Sequence, residues 1–335
     1  MHYSLTLKPN KLRALLGGHP WILDGSLELL DKSNAPKDGS VVDVYSDKGR
    51  FFARGLYNSH SKIRVRLYTW NETESLDDAF WTKRISTAID LRKELGYFSQ
   101  ATRLINSEGD ALSGLIVDKY EDVLVMQATS LGILLRAEQF AQILQNLTGA
   151  KTVIATTEPA MARREGAPEE LTADRVFGDP VPETMVIQSG GIKYEIQLLG
   201  GQKTGFYLDQ RENRLAAAEL FNGKTVLDMF CYHGGFSIAA AQAGAVSCLA
   251  CDSSAKALEQ VKRTRNSTRS TTSKRYRATR SRFWNSSSPK GERSAESFST
   301  HPNSRRENAL FRKPFADTIT STSWESRASL PADFL

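Results

Sequence analysis

The sequence predicts an α/β protein in three parts: a β-rich beginning, an α+β middle, and the first part of a parallel sheet with helical crossovers. Three observations lead to this prediction. Residues 62–68 alternate strictly between charged and apolar side chains, which is typical of a strand with two different faces. Residues 103–185 give strand, strand, helix and strand in turn. From residue 210 onwards helix and strand alternate, as they do where helices join parallel strands.

Residues 1–70 are expected to form a small β domain. In the alternating strand, one face is apolar and should lie on the core; its members are Ile63, Val65 and Leu67. The opposite face is basic; its members are Lys62, Arg64 and Arg66. A row of cations can contact phosphates, but a solvated sheet face also accounts for it, so both interpretations stay open.

Residues 71–185 are expected to form the α+β domain. Its first helix can be capped by Asp77 or Asp78 and should end at Gly96. A second helix is predicted over 131–147, closed by Gly149.

Residues 186–263 are expected to form the first part of the parallel sheet, reached through a hairpin at 185–198. Asp209 followed by Glu212 is an acidic version of the capping box, and it predicts a helix that runs to about Phe221.

The turn after the first parallel strand points to a nucleoside cofactor. Asp228 ends that strand, and the glycine pair Gly234-Gly235 lets the following turn approach a ligand closely. Asp252 ends the next strand, 24 residues later, where a carboxylate can accept both hydroxyls of a ribose. A nicotinamide cofactor would require GxGxxG, which is absent. An acid ahead of a single glycine turn suits S-adenosylmethionine, whose amino-acid end is cationic.

The last 72 residues differ in composition from the rest. Residues 264–335 hold 14 basic and 6 acidic residues, with 15 Ser, no Val and one Ile. The sequence therefore predicts an irregular segment that leaves the second parallel strand as an open edge. Either the segment is out of frame with the ancestral gene, or it is a disordered basic tail for RNA.

Other protein classes are excluded by simple features. No run of about 18 apolar residues exists for a membrane helix, and the start has no apolar signal core. The three cysteines, Cys231, Cys248 and Cys251, fit a reducing cytoplasm. The CxxC pair has no partner motif, so these cysteines are expected to be buried and no metal site is predicted.

A long motif makes the resemblance specific. Residues 200–214 read GGQKTGFYLDQRENR, and this segment resembles one in the large-subunit ribosomal RNA methyltransferase I family. Those enzymes use S-adenosylmethionine to methylate carbon 5 of a cytosine in 23S ribosomal RNA. Similar motifs extend the resemblance to about residues 3–262, namely 18–21, 61–66, 106–110, 114–120 and 163–166.

The resemblance implies four segments. They are a PUA-like RNA-binding β-barrel (1–70), a central α+β domain (71–185), a truncated Rossmann-like methyltransferase domain (186–263) and the C-terminal segment (264–335). It also implies that ribosomal RNA of the large subunit is the partner and the cytoplasm the location. No membrane is involved, and a homodimer is left open.

The resemblance carries a set of cofactor-binding residues onto this chain. Those around the parallel strands are Asp228, Phe230, Tyr232, Gly234, Gly235, Phe236, Asp252 and Ser253. Those of the upstream segment, which lies over the cofactor, are Phe206, Tyr207, Asp209, Gln210 and Arg211. Core packing also accounts for Phe230 and Phe236, and helix capping also accounts for Asp209. The RNA-binding candidates are Lys62, Arg64 and Arg66.

No catalytic residue is assigned. The family has an Asp-Pro-Pro-Lys segment and a later cysteine whose thiolate attacks carbon 6 of cytosine. Neither occurs here, because no cysteine follows Cys251. We therefore expect a methyltransferase by family whose catalytic half is missing and which is inactive. The alternative is a non-catalytic RNA-binding protein.

Overall fold

The structure is a computed structural model. It describes residues 3–28, 35–99, 101–199, 205–267, 275–280 and 296–299. Within these residues, three sheets of four or five strands and one hairpin follow one another along the chain. None of the described helices has the length and apolar character needed to cross a membrane.

The N-terminal sheet has five strands in the order β1-β3-β4-β5-β2. Their bounds are β1 (Tyr3–Thr6), β2 (Trp21–Leu23), β3 (Val41–Tyr45), β4 (Phe51–Tyr57) and β5 (Ile63–Thr69). Val65 and Leu67 lie in its core, as predicted, whereas Ile63 is only half-buried at the start of β5. A short 3-10 helix (Leu12–Leu15) packs beside the sheet.

The other face of β5 is not solvated, which corrects that interpretation of the alternating strand. Tyr68 is 1% exposed and belongs to the core of the next domain, where its ring meets Trp81 edge-on at 4.9 Å. The Tyr68 hydroxyl donates to the carbonyl of Ser113 at 2.6 Å. Alternation on this strand therefore separates two cores, one on each side, rather than core from solvent.

The central sheet has the order β10-β9-β8-β7-β6. Its strands are β6 (Thr102–Asn106), β7 (Leu115–Tyr120), β8 (Val123–Ala128), β9 (Thr152–Thr156) and β10 (Arg175–Gly178). Its helices are α1 (Asp78–Glu94), α2 (Leu131–Leu134), α3 (Ala137–Thr148) and α4 (Pro159–Arg164). Further 3-10 turns span Ser107–Asp110 and Glu169–Leu171.

The helix ends of this domain follow the sequence signals. Asp77 caps α1 by accepting a hydrogen bond from the backbone nitrogen of Phe80 at 2.9 Å. Gly149, with φ +72°, closes α3 in the left-handed conformation that favours glycine. The predicted helix over 131–147 is wrong in one respect, because it is divided into α2 and α3 around Leu135 and Arg136.

Both faces of the central sheet are buried. On β8, Leu124 and Met126 face α1 and α3, while Val123 and Val125 face the hairpin that follows. That hairpin pairs β11 (Met185–Ser189) with β12 (Ile192–Ile196). One apolar core therefore joins the central sheet, the hairpin and the start of the third domain.

The third domain holds a parallel sheet in the order β15-β14-β13-β16. Its strands are β13 (Thr225–Met229), β14 (Ser247–Asp252), β15 (Arg275–Arg280) and β16 (Glu296–Ser299). Its helices are α5 (Arg211–Glu219), α6 (Gly235–Gln242) and α7 (Ala255–Ser267), and a 3-10 turn (Leu208–Gln210) precedes α5. The chain moves outward from β13 and returns on its other side, which creates a topological switch point.

Two strands correct the expectation for the C-terminal segment. β15 pairs with β14 over six residues, so β14 is not an open edge, and β16 pairs with β13 over four. Thr264 is fully buried in α7, and its hydroxyl accepts from the backbone nitrogen of Glu195 at 3.2 Å. The segment is therefore not irregular at these positions, and the rest of 264–335 lies outside the described residues.

Candidate functional site

The candidate site is the loop that joins β13 to α6, at the carboxyl ends of the parallel strands. Its backbone is unusual, because Phe230 and Tyr232 have φ values of +64° and +48°, besides Gly234 at +70°. Non-glycine residues in this region cost of the order of 1–3 kcal/mol each, and such conformations cluster at binding sites. The neighbouring strand holds the loop in place, since the nitrogen of Cys231 donates to the carbonyl of Cys251 at 3.0 Å.

Asp252 also holds this loop. Its Oδ2 accepts from the nitrogen of Tyr232 and its Oδ1 from that of Ser254, both at 2.8 Å. Each carboxylate oxygen has a second lone pair, so Asp252 can still accept hydroxyl groups of a ribose. Ser253 beside it is exposed.

Asp228 lies beneath the loop and is 1% exposed. Its Oδ2 accepts from the Ser237 hydroxyl at 2.6 Å and the Ser237 nitrogen at 3.1 Å. Its Oδ1 is buried and has no hydrogen-bond partner among the described residues. Burial raises the pKa of Asp228 to about 6. A buried carboxylate oxygen without a partner fits the ammonium of an S-adenosylmethionine amino-acid end.

Arg214 lies beside the loop and is absent from the set of residues that the motif analysis assigns. It is 6% exposed, its guanidinium lies 4.4 Å from the centre of the Phe206 ring, and Nη2 donates to the Tyr207 carbonyl at 2.8 Å. A Cβ at Gly235 would collide with this guanidinium, so the glycine makes room for Arg214. Its position one turn into an amphipathic helix gave no signal, because an arginine there is ordinarily exposed.

An aromatic layer covers the same loop. The rings of Tyr232 and His233 stack at 3.7 Å, and Tyr207 meets Tyr232 edge-on at 5.2 Å. His233 is 4% exposed, and burial, followed by the charge of Arg214, lowers its pKa to about 3. The imidazole is therefore neutral at physiological pH. Tyr232 and His233 belong to the candidate loop itself, and Tyr207 lies against the Tyr232 ring.

The remaining aromatic candidates divide between core and surface. Phe206 is 2% exposed and packs between Tyr194 and Arg214, and Phe236 belongs to an apolar cluster with Val226. For Phe236 the structure supports the core interpretation, and Phe206 is packed in an apolar core as well. Phe230 is 41% exposed, so the core interpretation is wrong for Phe230.

The upstream segment is divided as well. Arg211 donates to the carbonyl of Ala101 and lies 5.0 Å from the Tyr97 ring, so it ties α5 to the central domain. Asp209 is exposed and accepts from the Gln210 side chain at 3.3 Å. The predicted capping role of Asp209 is wrong, because α5 begins after Gln210 with no side-chain cap.

The three cations predicted to contact RNA have different environments. Arg66 is 7% exposed, where its Nη1 donates to the Ser113 hydroxyl at 3.1 Å. Arg64 is half-buried and forms an ion pair with Asp24 at 2.6 Å. Lys62 is exposed. The strand therefore presents one free lysine rather than a row of cations, because the central domain covers Arg66.

Glu165 holds this interface together. It is 5% exposed and lies in the central domain. Its Oε1 accepts from the Ser61 hydroxyl at 2.6 Å, and its Oε2 accepts from the Asn58 amide at 2.8 Å and the Leu131 nitrogen at 3.2 Å. A single buried carboxylate thus fixes the N-terminal sheet against the central domain.

The cysteines are buried, as predicted. Cys248 and Cys251 are three apart on β14 and so point to opposite faces of the sheet, which prevents them from sharing an ion. Burial raises the pKa of the Cys231, Cys248 and Cys251 thiols. None of them is therefore activated as a thiolate.

Comparison with protein families matches two parts of the chain. The model of a PUA-like domain matches residues 5–70. The model of an S-adenosylmethionine-dependent methyltransferase matches residues 112–279, which is half of the chain. The second match includes the loop, Asp252, Arg214 and β15 up to residue 279.

Among curated proteins, the chain is similar to "Ribosomal RNA large subunit methyltransferase I" from several bacteria. The protein from Photobacterium profundum is 34% identical over 77% of this chain and 65% of its own length. The one from Pseudoalteromonas atlantica is 36% identical over 78% and 66%. The chain thus spans slightly less than two thirds of these relatives.

Among solved structures, the chain is similar to one from Streptococcus mutans named as a candidate SAM-dependent methyltransferase. The TM-score is 0.69 at 22% identity, over 82% of this chain and 70% of that one. A second candidate methyltransferase, solved with SAH, gives a TM-score of 0.70 at 21% identity, over 83% and 70%. At this identity the likeness supports the fold alone.

Proposed function

Since this chain belongs to the S-adenosylmethionine-dependent methyltransferase family, we propose that it is a large-subunit ribosomal RNA methyltransferase by descent that keeps the cofactor half of its site. When bound, S-adenosylmethionine supplies the methyl group for transfer. The observation that carries this proposal is the unpartnered, buried Oδ1 of Asp228 beneath the left-handed loop that ends at Gly234.

The chain's own residues have distinct roles in this proposal. Asp228 accepts the ammonium of the amino-acid end, and Asp252 accepts the ribose hydroxyls while it holds the loop. Tyr207, Phe230 and Tyr232 line the mouth of the site. Other members of the predicted set have structural roles. Phe206 and Phe236 are buried beneath the site, and Arg211 anchors α5 to the central domain.

The proposed RNA partner rests on two facts. Residues 5–70 match a PUA-like domain, and the curated relatives are named for ribosomal RNA of the large subunit. Of the predicted cations, Lys62 keeps a role as a phosphate contact. Arg64 and Arg66 are engaged within the protein, so we assign them no RNA contact.

We further propose that the chemistry of the family is transfer to carbon 5 of cytosine and that this chain does not perform it. That transfer requires an activated thiolate. The sequence has cysteines at positions 231, 248 and 251 and no Asp-Pro-Pro-Lys segment. Because burial raises the pKa of all three thiols, none supplies the nucleophile.

A labelled-cofactor assay tests this function. Purified chain is incubated with 23S ribosomal RNA and tritiated S-adenosylmethionine, and RNA retention and label in the RNA are measured separately. We expect RNA binding that weakens as salt rises, without label in the RNA. Stoichiometric labelling would contradict the proposed loss of activity, and salt-independent or absent retention would contradict the proposed RNA partner.

The second candidate function, RNA binding without a cofactor, differs at one point. It predicts the same RNA retention but no binding of S-adenosylmethionine. The buried Oδ1 of Asp228, which has no partner among the described residues, favours the first function, because a buried carboxylate oxygen is costly unless a ligand satisfies it.

A further inference from the structure

Two side chains of opposite charge, Arg214 and Asp228, are buried beneath Gly234-Gly235 and form no ion pair with each other. Arg214 is 6% exposed and Asp228 is 1% exposed. The Nε and Nη1 atoms of Arg214 and the Oδ1 atom of Asp228 have no hydrogen-bond partner in the described part of the chain. No ion pair links the two residues, although each lies within electrostatic reach of the other.

Leaving buried polar atoms without partners is costly. Each unsatisfied donor or acceptor destabilises the folded protein, and the cost is greater when the group is charged. The surrounding structure nevertheless fixes Arg214 in place, because Phe206 stacks on its guanidinium and the Tyr207 carbonyl accepts from Nη2. The absence of a side chain at Gly235 provides the room. Such an arrangement is typical of a preorganised receptor for a ligand.

The pair of charges selects the kind of ligand. A phosphate would satisfy Arg214 but would be repelled by Asp228, and a simple cation would do the reverse. A zwitterion with an ammonium next to a carboxylate satisfies both. An α-amino acid has this arrangement, and a guanidinium presents two parallel donors that match a carboxylate.

We propose that Arg214 binds the carboxylate of the cofactor's amino-acid end while Asp228 binds its ammonium. This inference rests on the proposed function, since it concerns the same cofactor. Arg214 is thereby a specificity-determining residue, because it distinguishes ligands that carry the amino-acid end from nucleosides that lack it.

Two ligands separate this role from a merely structural one. S-Adenosylhomocysteine carries the amino-acid end, whereas 5′-methylthioadenosine has the same nucleoside without it. Both are titrated calorimetrically into the full chain and into Arg214→Met. We expect the substitution to weaken the affinity for S-adenosylhomocysteine by about 10–100-fold, which is the effect of a lost charged hydrogen bond. The affinity for methylthioadenosine should stay within about twofold of that of the parent.

A matched control is available at Arg175. Its Nε is also buried without a partner, and its Nη2 also donates to a backbone carbonyl, that of Leu134, at 2.9 Å. Arg175→Met in the central domain should therefore change stability to a similar extent and leave both affinities unchanged.

A second measurement does not depend on any variant folding. The parent chain should bind decarboxylated S-adenosylmethionine about 10–100-fold more weakly than S-adenosylmethionine, because the carboxylate partner of Arg214 is absent. Equal affinities would overturn the inference, as would a parallel loss of both nucleosides in Arg214→Met. Those results leave the proposed function standing, whereas failure of the parent to bind any of these ligands overturns both.

Discussion

The Oδ2 atom of Asp252 accepts a hydrogen bond from the backbone nitrogen of Tyr232 at 2.8 Å, which joins the end of β14 to the loop after β13. Tyr232 has φ +48°, so this bond helps to hold a backbone conformation that is otherwise unfavourable. One carboxylate therefore shapes the candidate loop, and in the proposed function it also accepts the ribose hydroxyls.

Replacing this carboxylate should weaken cofactor binding. We expect Asp252→Ala to reduce the affinity for S-adenosylhomocysteine by about 1–3 kcal/mol, the usual loss for a charged hydrogen bond left unmade. Calorimetric titration measures the change. Glu259→Ala, at an exposed position of α7 outside the predicted cofactor-binding set, is the control and should have little effect. RNA binding should survive Asp252→Ala, and a parallel loss of RNA affinity would show that the variant is misfolded.

The raised pKa of Asp228 predicts a pH dependence of stability. Its carboxyl has a pKa of about 6 in the folded protein against 3.8 for an ordinary aspartate, so the folded state binds the proton more tightly. Its contribution to stability is fully present below about pH 3.8 and is lost as the pH rises through 6. Asp228→Asn removes this loss. Relative to the parent, the variant should gain up to about 3 kcal/mol between pH 4 and pH 7.

Urea unfolding of both proteins at several pH values measures this difference. Asp209→Asn, at an exposed carboxylate, is the control and should follow the parent. An identical pH profile for Asp228→Asn and the parent would contradict the assignment. Cofactor binding should show the opposite trend, weakening below about pH 6 as Asp228 takes up its proton.

The hydrogen bonds of Glu165 should contribute much of the stability of the contact between the N-terminal sheet and the central domain. Glu165→Ala removes the acceptor of the Ser61 hydroxyl and the Leu131 nitrogen and one of two acceptors of the Asn58 amide, and we expect a loss of about 2–5 kcal/mol of unfolding free energy. Chemical denaturation provides the measurement. Glu169→Ala, at an exposed position on a nearby turn, should be almost neutral. A neutral Glu165→Ala would contradict this role of Glu165 and leave the contact to groups such as Tyr68 and Arg66, which bond Ser113.

Substitutions of Lys62 and Arg66 should affect different properties, RNA binding in the first case and protein stability in the second. Lys62→Met should weaken RNA binding uniformly and reduce its salt dependence by about one phosphate contact. Arg66→Met should instead lower stability, because Arg66 is buried against Ser113. Filter binding at several salt concentrations, together with thermal melting, measures both. If Arg66→Met lowered the salt slope while its stability was unchanged, the interface assignment would be wrong.

Most helices and strands can be predicted from the sequence, but the elements that pack against them cannot be predicted as well. The alternation in β5 correctly placed Val65 and Leu67 in one core, but a period of two does not distinguish a solvated face from a second core. That information is held by Tyr68, Ser113 and Glu165, which are distant in sequence. For the same reason, the basic side of the strand is compatible with a phosphate contact or a solvated face, and neither interpretation anticipates the interface that covers Arg66.

The sequence predicts the strands and the turn of the candidate site, but it does not predict which side chains are buried beneath the turn. Asp228 and Asp252 lie at the carboxyl ends of β13 and β14, and Gly234 lies in the turn before α6, where the strand and turn pattern predicts them. Arg214 lies in a helix, and its burial depends on Phe206 and Gly235 closing around it. The C-terminal strands were missed because residues 275–280 and 296–299 lack the Val and Ile content of a buried strand.

The composition after α7 leads to a prediction about the coding DNA. Residues 264–335 contain no Val and 15 Ser, and we expect the normal reading frame to be lost in or after α7. Translation of the DNA downstream of α7 in the two other frames should yield an Asp-Pro-Pro-Lys segment and a later cysteine. If neither frame contains them, the segment is a genuine basic tail.

The most direct test of the account is a calorimetric titration of the full chain with S-adenosylhomocysteine near pH 7.5, beside the Asp228→Asn variant. The account predicts saturable binding to one site in the parent. It also predicts a loss of about tenfold or more in the variant, because a neutral amide replaces the carboxylate that accepts the ammonium. No measurable binding to the parent, or equal binding to both proteins, would contradict the claim that this loop is a working cofactor site.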